Sequence, residues 1–367
     1  MELNSKIYVA GHRGLVGSAI VANLTKRGYA NFILRTHEEL NLRDQQAVNS
    51  FFAVEQPEYV FLAAAKVGGI YANSKFRAQF LLENLEIQNA VIQAAHKYGV
   101  KKLIFLGSSC IYPKNAPQPM GEEDLLTGTL EYSNEPYAIA KIAGLKLCEA
   151  YNQQYGTNFI SVMPTNLYGY NDNFHLRNSH VLPALIRKMY LSRCVDEHNL
   201  DGIRRDLKKY LQDEISYTSG EDEIFRFLAA QGIERKTMDG KSETTLTLWG
   251  TGKPLREFLW SEDMADACVF LMENVDFKDI VVQREAQGKR EIQNTHINIG
   301  TGLEISIRDL AMMVKSIVGY SGKLVFDAAY PDGTPRKLLD VSRLRALGWQ
   351  YSVGLEDGIR RVFAKYI

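Results

Sequence analysis

The chain has 367 residues, with 43 basic and 43 acidic side chains and a formal charge of zero at neutral pH. That length exceeds what a single hydrophobic core usually serves, so two lobes are expected. Balanced charge gives no field to draw nucleic acid or an anionic membrane, and neither is expected as a partner. No run is long and apolar enough to span a bilayer. Residues Met1 to Lys6 lack the charged-then-apolar layout of a signal peptide. The four cysteines, at 110, 148, 194 and 268, show neither metal-ligand spacing nor a disulfide framework. A reduced, cytoplasmic setting with no bound metal is the expectation.

Lys6 to Ala10 reads as a buried strand entering Gly11-His12-Arg13-Gly14-Leu15-Val16-Gly17, followed by an apolar-periodic helix to about Arg27. Backbone amides and the helix dipole at such a turn can hold a pyrophosphate. Gly11 would allow the turn, Gly14 the approach of phosphate and Gly17 close helix–strand packing. The second strand, Phe32 to Leu34, leads into Arg35, where an NAD-binding fold usually carries an acid. Arg13 and Arg35 together could grip a 2′-phosphate, so NADP(H) is favoured over NAD.

An α/β rhythm continues through a helix near 44–55, a strand at 59–63, a long helix at about 78–98 and the strand Lys102 to Leu106. That strand runs into Gly107-Ser108-Ser109-Cys110. A helix opens at Asn134-Glu135-Pro136-Tyr137 and runs to about Tyr155, and a strand at 159–163 precedes Pro164-Thr165-Asn166-Leu167-Tyr168-Gly169. Repeated units of this kind predict a doubly wound parallel sheet of Rossmann type, with ligands at the C-terminal strand ends.

After Gly169 the rhythm breaks. Ser179 is placed to cap a helix starting near His180. A histidine at a helix N-terminus is disfavoured as a cation, so its pKa should move down. Residues 191–245 read as a charged helical insertion, with helices within 196–215 and 222–231 and turns at 219–220 and 238–242. It is expected to be an accessory element, replaceable without loss of the fold, or else a lid or dimer contact. Leu246 to Trp249 reads as a short strand, 296–299 as the last strand of the main sheet, and 305–318 and 355–366 as helices. The expected division is a dinucleotide-binding domain of 1–170 plus about 257–300, and a smaller mixed α/β substrate lobe of about 171–256 and 301–367.

Tyr137 and Lys141 lie four residues apart, hence on one helix face. An ammonium beside a phenol should lower its pKa toward a value suited to proton exchange with a carbonyl oxygen. The spacing recurs at Tyr71/Lys75 and Tyr98/Lys102, but only Tyr137 follows a strand-end serine, Ser108, able to bond the same oxygen.

Taken together, the glycine loop, Ser108 and the Tyr137/Lys141 pair resemble the extended short-chain dehydrogenase/reductase superfamily. Gly-Ser-Ser-Cys-Ile-Tyr-Pro (107–113), Asn-Glu-Pro-Tyr-Ala-Ile-Ala-Lys (134–141), Pro-Thr-Asn-Leu-Tyr-Gly (164–169), Asn-Ser-His-Val (178–181) and Pro-Asp-Gly-Thr-Pro-Arg-Lys-Leu-Leu-Asp (331–340) sharpen the match. Within the superfamily they resemble the GDP-L-fucose synthase family. That resemblance implies 3,5-epimerisation of GDP-4-keto-6-deoxy-D-mannose, then reduction at C4 by NADPH. Cys110 and His180 would move protons at C3 and C5; Ser108 and Tyr137 would bond the 4-oxygen, and Lys141 would serve Tyr137 and the nicotinamide ribose. It implies further cofactor contacts from His12, Leu15, Val16, Leu106, Gly107, Ser109, Pro164, Thr165, Asn166, Leu167 and His180. Lys188, Trp249, Arg256 and Asp332 would hold the nucleotide diphosphate, and a homodimer is expected. Another nucleotide-sugar epimerase or dehydratase of this fold, or a non-enzymatic NADP-sensing protein, remains the alternative.

Overall fold

The computed structural model describes every residue except 213, 239, 240 and 331, and the side chains of 70, 71, 236–238, 241 and 242. In chain order its elements are β1 (Ile7–Ala10), α1 (Leu15–Lys26), β2 (Phe32–Ile33), α2 (Gln45–Glu55), β3 (Tyr59–Leu62), α3 (Ile70–Lys75), α4 (Arg77–Lys97), β4 (Lys102–Leu106), α5 (Glu135–Tyr155), β5 (Phe159–Pro164) and β6 (Asn166–Tyr168). There follow α6 (Val181–Asp196), α7 (Leu200–Lys209), α8 (Glu221–Ala230), β7 (Ile233–Met238), β8 (Lys241–Trp249), β9 (Leu255–Trp260), α9 (Ser261–Asn274), α10 (Phe277–Ala286) and β10 (Ile297–Ile299). The last are β11 (Glu304–Ser306), α11 (Ile307–Val318), β12 (Lys323–Asp327), β13 (Arg336–Lys337), α12 (Ser342–Ala346) and α13 (Leu355–Tyr366). Two compact units result: 1–171, 257–303 and 337–354 form the first, and 172–256, 304–336 and 355–367 the second.

The first unit is a doubly wound α/β layer structure. Its six strands run in the order β2-β1-β3-β4-β5-β10, all parallel. Successive strand residues face opposite sides of the sheet. Tyr8, Val60, Leu62, Leu103 and Phe105 pack with side chains of α2, α4 and α5. Their neighbours Ile7, Val9, Phe61, Ile104 and Leu106 pack with α1 and α9 on the other face. Both faces are covered, which is why these strands read as continuous apolar runs. The strand order reverses between β1 and β3, and in such sheets ligands bind outside the carboxyl ends at the reversal.

Local chemistry sets the helix ends. Asp44 caps α2, its Oδ1 accepting from the backbone of Gln46 and Ala47 at 2.9 and 3.0 Å. Pro136 sits in the first turn of α5, and Gly156 closes that helix with φ +67°.

Residues 337–354, expected in the second lobe, pack in the first unit. Leu339 and Val341 join one core face, and Leu344 and Trp349 join the other. The buried Glu257 carboxylate accepts the backbone N–H of Leu339 at 3.0 Å, and those of Thr301 and Gly302 at 2.6 and 2.7 Å.

The second unit contains a small mixed sheet, β12 parallel to β8 and β7 antiparallel to it. Helix α6 packs on both β7 and β8 and on α11. The segment read as a helical insertion does hold α7 and α8, but its second half is the β7–β8 hairpin. The charged run Ile233-Glu-Arg-Lys-Thr-Met238 shows no apolar alternation, so the strand signal was absent from the sequence. The turn expected at 238–242 falls partly on 239 and 240, outside the described residues.

Nor is the segment a removable accessory. Arg187 of α6 is fully buried, and Asp206 of α7 accepts from its Nε and Nη2 at 2.9 and 2.7 Å. The carbonyls of Phe174 and Tyr210 accept from Nη1 and Nη2 at 2.8 and 2.9 Å. The Tyr366 phenol donates to the second oxygen of Asp206 and stacks parallel on Tyr210 at 5.2 Å. A charged helix here completes the core, because a buried guanidinium requires its carboxylate.

Candidate active site

The glycine loop is shaped by close contacts. Gly11 has φ +82°, and a Cβ there would lie 2.8 Å from the Ala64 nitrogen. A Cβ on Gly17 would lie 2.1 Å from the Gly11 oxygen. Gly14 is the N-cap of α1, with no side-chain cap and no acid in the first turn. The His12 Nδ1 is buried with no partner. An uncapped helix start, a cradle closed to side chains and an orphaned ring nitrogen fit a dinucleotide pyrophosphate.

Past β2, Arg35 is held in place. It donates from Nη1 to the Leu34 carbonyl at 2.9 Å and from Nη2 to Glu55 at 2.6 Å, and lies over the Phe51 ring. Bonds from Thr36 chiefly hold the Glu39 carboxyl below its usual range, and Arg35 and Arg13 add to that. The two arginines therefore share one neighbourhood. Glu39 is tied into its own turn by the Thr36 N–H at 2.7 Å.

At the end of β4, Ser108 starts a single 3₁₀ turn, Ser109–Ile111, and its Oγ accepts from the Cys110 N–H at 3.3 Å. Gly107 is confined: a Cβ there would meet the Met163 sulfur at 2.2 Å. Cys110 is buried, and burial pushes its thiol pKa up, with Lys337, the Ser108 hydroxyl and Lys141 pulling the other way. Sequence reading missed Lys337, whose only signal is its place in the 331–340 motif.

On α5 the Lys141 ammonium donates to the Leu106 carbonyl at 2.8 Å. It lies 4.9 Å from the Phe105 ring centroid and 5.7 Å from that of Tyr137. Burial lowers its pKa to about 8. Tyr137 packs edge-on against Phe80. Its pKa moves up, through burial first and the Cys110 charge second. The expected depression of the phenol by Lys141 is therefore not found. The face-sharing is real, but the ammonium is turned to a carbonyl, and burial penalises phenolate more than this cation offsets.

Pro164 ends β5. The Thr165 N–H bonds the Ile299 carbonyl at 3.0 Å, and Asn166 Nδ2 donates to the Glu257 carbonyl at 2.8 Å. Leu167 packs against the core.

In the second unit His180 is itself the N-cap of α6. The cap expected from Ser179 is not made, and its Oγ is buried without a partner. Solvent reaches the His180 ring, and surrounding protein lowers its pKa by desolvation. About two turns along α6, Lys188 donates to the Gln231 carbonyl at 2.8 Å. Its pKa falls to about 8, through burial and then the charge of Arg177. Arg177 pairs with Glu214 at 2.5 Å. Trp249 is 65% exposed and stacks parallel on Tyr330 at 4.4 Å, forming an open aromatic platform. Arg256 donates to the Leu255 carbonyl at 2.8 Å. Asp332 pins a turn, accepting from the Thr251 N–H and hydroxyl at 2.9 and 2.6 Å.

A profile of the NAD dependent epimerase/dehydratase family matches residues 7–206 and 225–300. The chain belongs to this family. Within it, GDP-L-fucose synthase 1 of Arabidopsis thaliana is 48% identical over 366 residues, covering 100% of this chain and 94% of that protein. GDP-L-fucose synthase of Escherichia coli K12 is 46% identical over 362 residues, covering 99% and 96%. A crystal structure of a GDP-D-glycero-L-gluco-heptose synthase from Campylobacter jejuni, in the presence of NADPH, is 45% identical with a TM-score of 0.88, covering 100% and 99%. The family match skips 207–224, the end of α7 through the start of α8, immediately after Asp206. Among the described residues no helix is long and apolar enough to cross a membrane.

Proposed function

We propose that this chain is an NADPH-dependent epimerase-reductase converting GDP-4-keto-6-deoxy-D-mannose to GDP-L-fucose. The observation that carries the reading is the grouping of Ser108, Cys110, Tyr137 and Lys141 at the carboxyl end of β4, in a chain with full-length fucose-synthase relatives.

The substrate's 4-keto group acidifies the hydrogens on C3 and C5. Cys110 and His180 supply the proton-transfer groups. The thiol, its pKa raised, is held protonated as a donor, and the imidazole, its pKa lowered, is neutral and an acceptor. One epimerisation leaves them exchanged as thiolate and imidazolium; a second, with roles reversed, restores both. Ser108 and Tyr137 donate to the 4-oxygen as it takes on charge, and the high pKa of Tyr137 keeps its proton available until then. Bound NADPH supplies the hydride that reduces C4. The 11–17 loop would hold its pyrophosphate, Arg13 and Arg35 its 2′-phosphate, and Lys141 its nicotinamide ribose. Lys188 and Arg256 bind the substrate diphosphate, and the Trp249–Tyr330 platform offers a stacking surface to the guanine. Asp332 secures the turn that follows Trp249. A cytoplasmic homodimer is part of the proposal, supported by exposed Leu82 on α4 and Ile139 and Tyr155 on α5.

The test is to follow NADPH absorbance with GDP-4-keto-6-deoxymannose and to identify the sugar formed. The similarity to the Campylobacter enzyme favours a second reading, a GDP-4-keto-heptose substrate. Turnover of the heptose with none of the 6-deoxy sugar would select it.

A further inference from the structure

Tyr112 stands two residues beyond Cys110 and closes the same 3₁₀ turn, with φ −78° and ψ 149°. It is 2% exposed, and its hydroxyl lies in the core of the first unit. The phenol donates to the Asn298 Oδ1 at 2.5 Å and lies 2.9 Å from the His296 Nε2. Since the phenol proton goes to Asn298, the network assigns the neutral Nε2–H tautomer to His296, which then donates to the phenol oxygen. Burial and the charge of Arg343 disfavour its imidazolium.

Both partners are themselves anchored. Asn298 lies on β10, its N–H bonded to Glu122 at 3.1 Å and its Nδ2 to the carbonyls of Met120 and Asp340, each at 3.1 Å. The His296 carbonyl accepts from Arg343 at 2.6 Å. The turn carrying Cys110 is thus fixed at two ends: by the Ser108 Oγ at its start, and by a phenol clamped to the edge strand of the main sheet at its finish. One 3₁₀ turn has too few internal bonds to hold a side chain in place by itself.

We propose that Tyr112 is a positioning residue for proton transfer at Cys110, its buried hydroxyl holding the turn so that the thiol keeps its place beside Ser108. The proposal rests on the reading of Cys110 as a proton-transfer group. Ser108 lies at the start of the turn, two residues past β4 and far from the clamped end, and Tyr137 is carried by α5, so reduction depends less on the clamp than epimerisation does.

The test is Tyr112→Phe in the full chain, which keeps the ring and deletes the clamp. Two rates are compared: deuterium uptake from solvent at C3 and C5, and NADPH oxidation. Epimerisation should fall about tenfold or more, the scale of a displaced catalytic group, and NADPH oxidation much less, so that under-epimerised product accumulates. A substrate-free arm follows iodoacetamide alkylation of each cysteine by peptide mass spectrometry. Cys110 should react several-fold faster in Tyr112→Phe, with Cys148, Cys194 and Cys268 unchanged. Equal losses in both activities, or faster alkylation of all four cysteines, would overturn the proposal as mere destabilisation. An unchanged Cys110 alkylation rate overturns it as well. If Tyr112→Phe does not fold, His296→Leu, which removes the donor to the phenol oxygen, is carried through the same two arms and must show the same split at smaller size. If the unaltered enzyme takes up no deuterium, the proposed function fails, and the alkylation arm alone decides whether Tyr112 holds the thiol.

Discussion

Replacing Asp206 with alanine should unsettle the second unit far more than a surface change would. The Arg187 guanidinium is fully buried, and Asp206 is the carboxylate that faces it, accepting two of its donors at 2.9 and 2.7 Å. Its other partners are carbonyls without full charge. Truncation strands a buried cation, a change that costs about 3–5 kcal/mol. The Tyr366 phenol loses its acceptor in the same step. With about 130 residues in this unit and about 2.1 cal/mol/K of unfolding entropy per residue, that loss corresponds to a fall in midpoint of about 11–18 °C if the unit melts by itself. Differential scanning calorimetry without ligand reads it, since bound ligand would mask the shift. Arg187→Met/Asp206→Leu should recover most of the loss, because neither charge is then left alone. A fall of less than about 3 °C for Asp206→Ala, or a double variant no better than the single one, would refute the reasoning.

Arg35→Ala should weaken NADPH binding by about tenfold or more and leave NADH binding nearly unchanged, as read by fluorescence titration; equal losses for both would remove Arg35 from the 2′-phosphate site. Cys110→Ser and His180→Gln should suppress deuterium uptake at C3 or C5 by about a hundredfold, while hydride transfer persists to a 6-deoxymannose-type product identified by mass spectrometry. With pKa values near 8, Lys141 and Lys188 carry their charges below that pH and lose them above; kcat/KM should therefore fall as pH rises through about 8, and Lys141→Met should leave only the part of that limb that Lys188→Met removes. Trp249→Ala should raise KM for the GDP-sugar without changing NADPH affinity, and an unchanged KM would take the aromatic platform out of substrate binding.

Much of the first unit is legible in sequence because its signals are local. A strand, a glycine turn and a helix start are adjacent in the chain, so the Gly11–Gly17 loop can be recognised without knowing what packs on it. The i,i+4 geometry puts Tyr137 and Lys141 on one face wherever that helix lies. Asp44 caps its helix through backbone groups two and three residues away. The Gly107–Cys110 motif lies at a strand end because parallel sheets gather such ends at one edge.

What the tertiary structure decides depends on partners far along the chain. The ammonium of Lys141 is drawn to the Leu106 carbonyl, and burial raises the Tyr137 pKa, reversing the sign expected from their proximity. Residues 337–354 join the first unit through Glu257 and two core faces, contacts that no spacing rule anticipates. The charge of the 191–245 segment looks solvated until Arg187 is found inside the fold with Asp206 against it. Tyr112 reads as one more aromatic residue until β10 brings His296 and Asn298 to its hydroxyl, 184 and 186 residues away. Periodicity and caps are set by neighbours within about one helical turn, whereas the charge state of a buried group depends on every atom that displaces water from it.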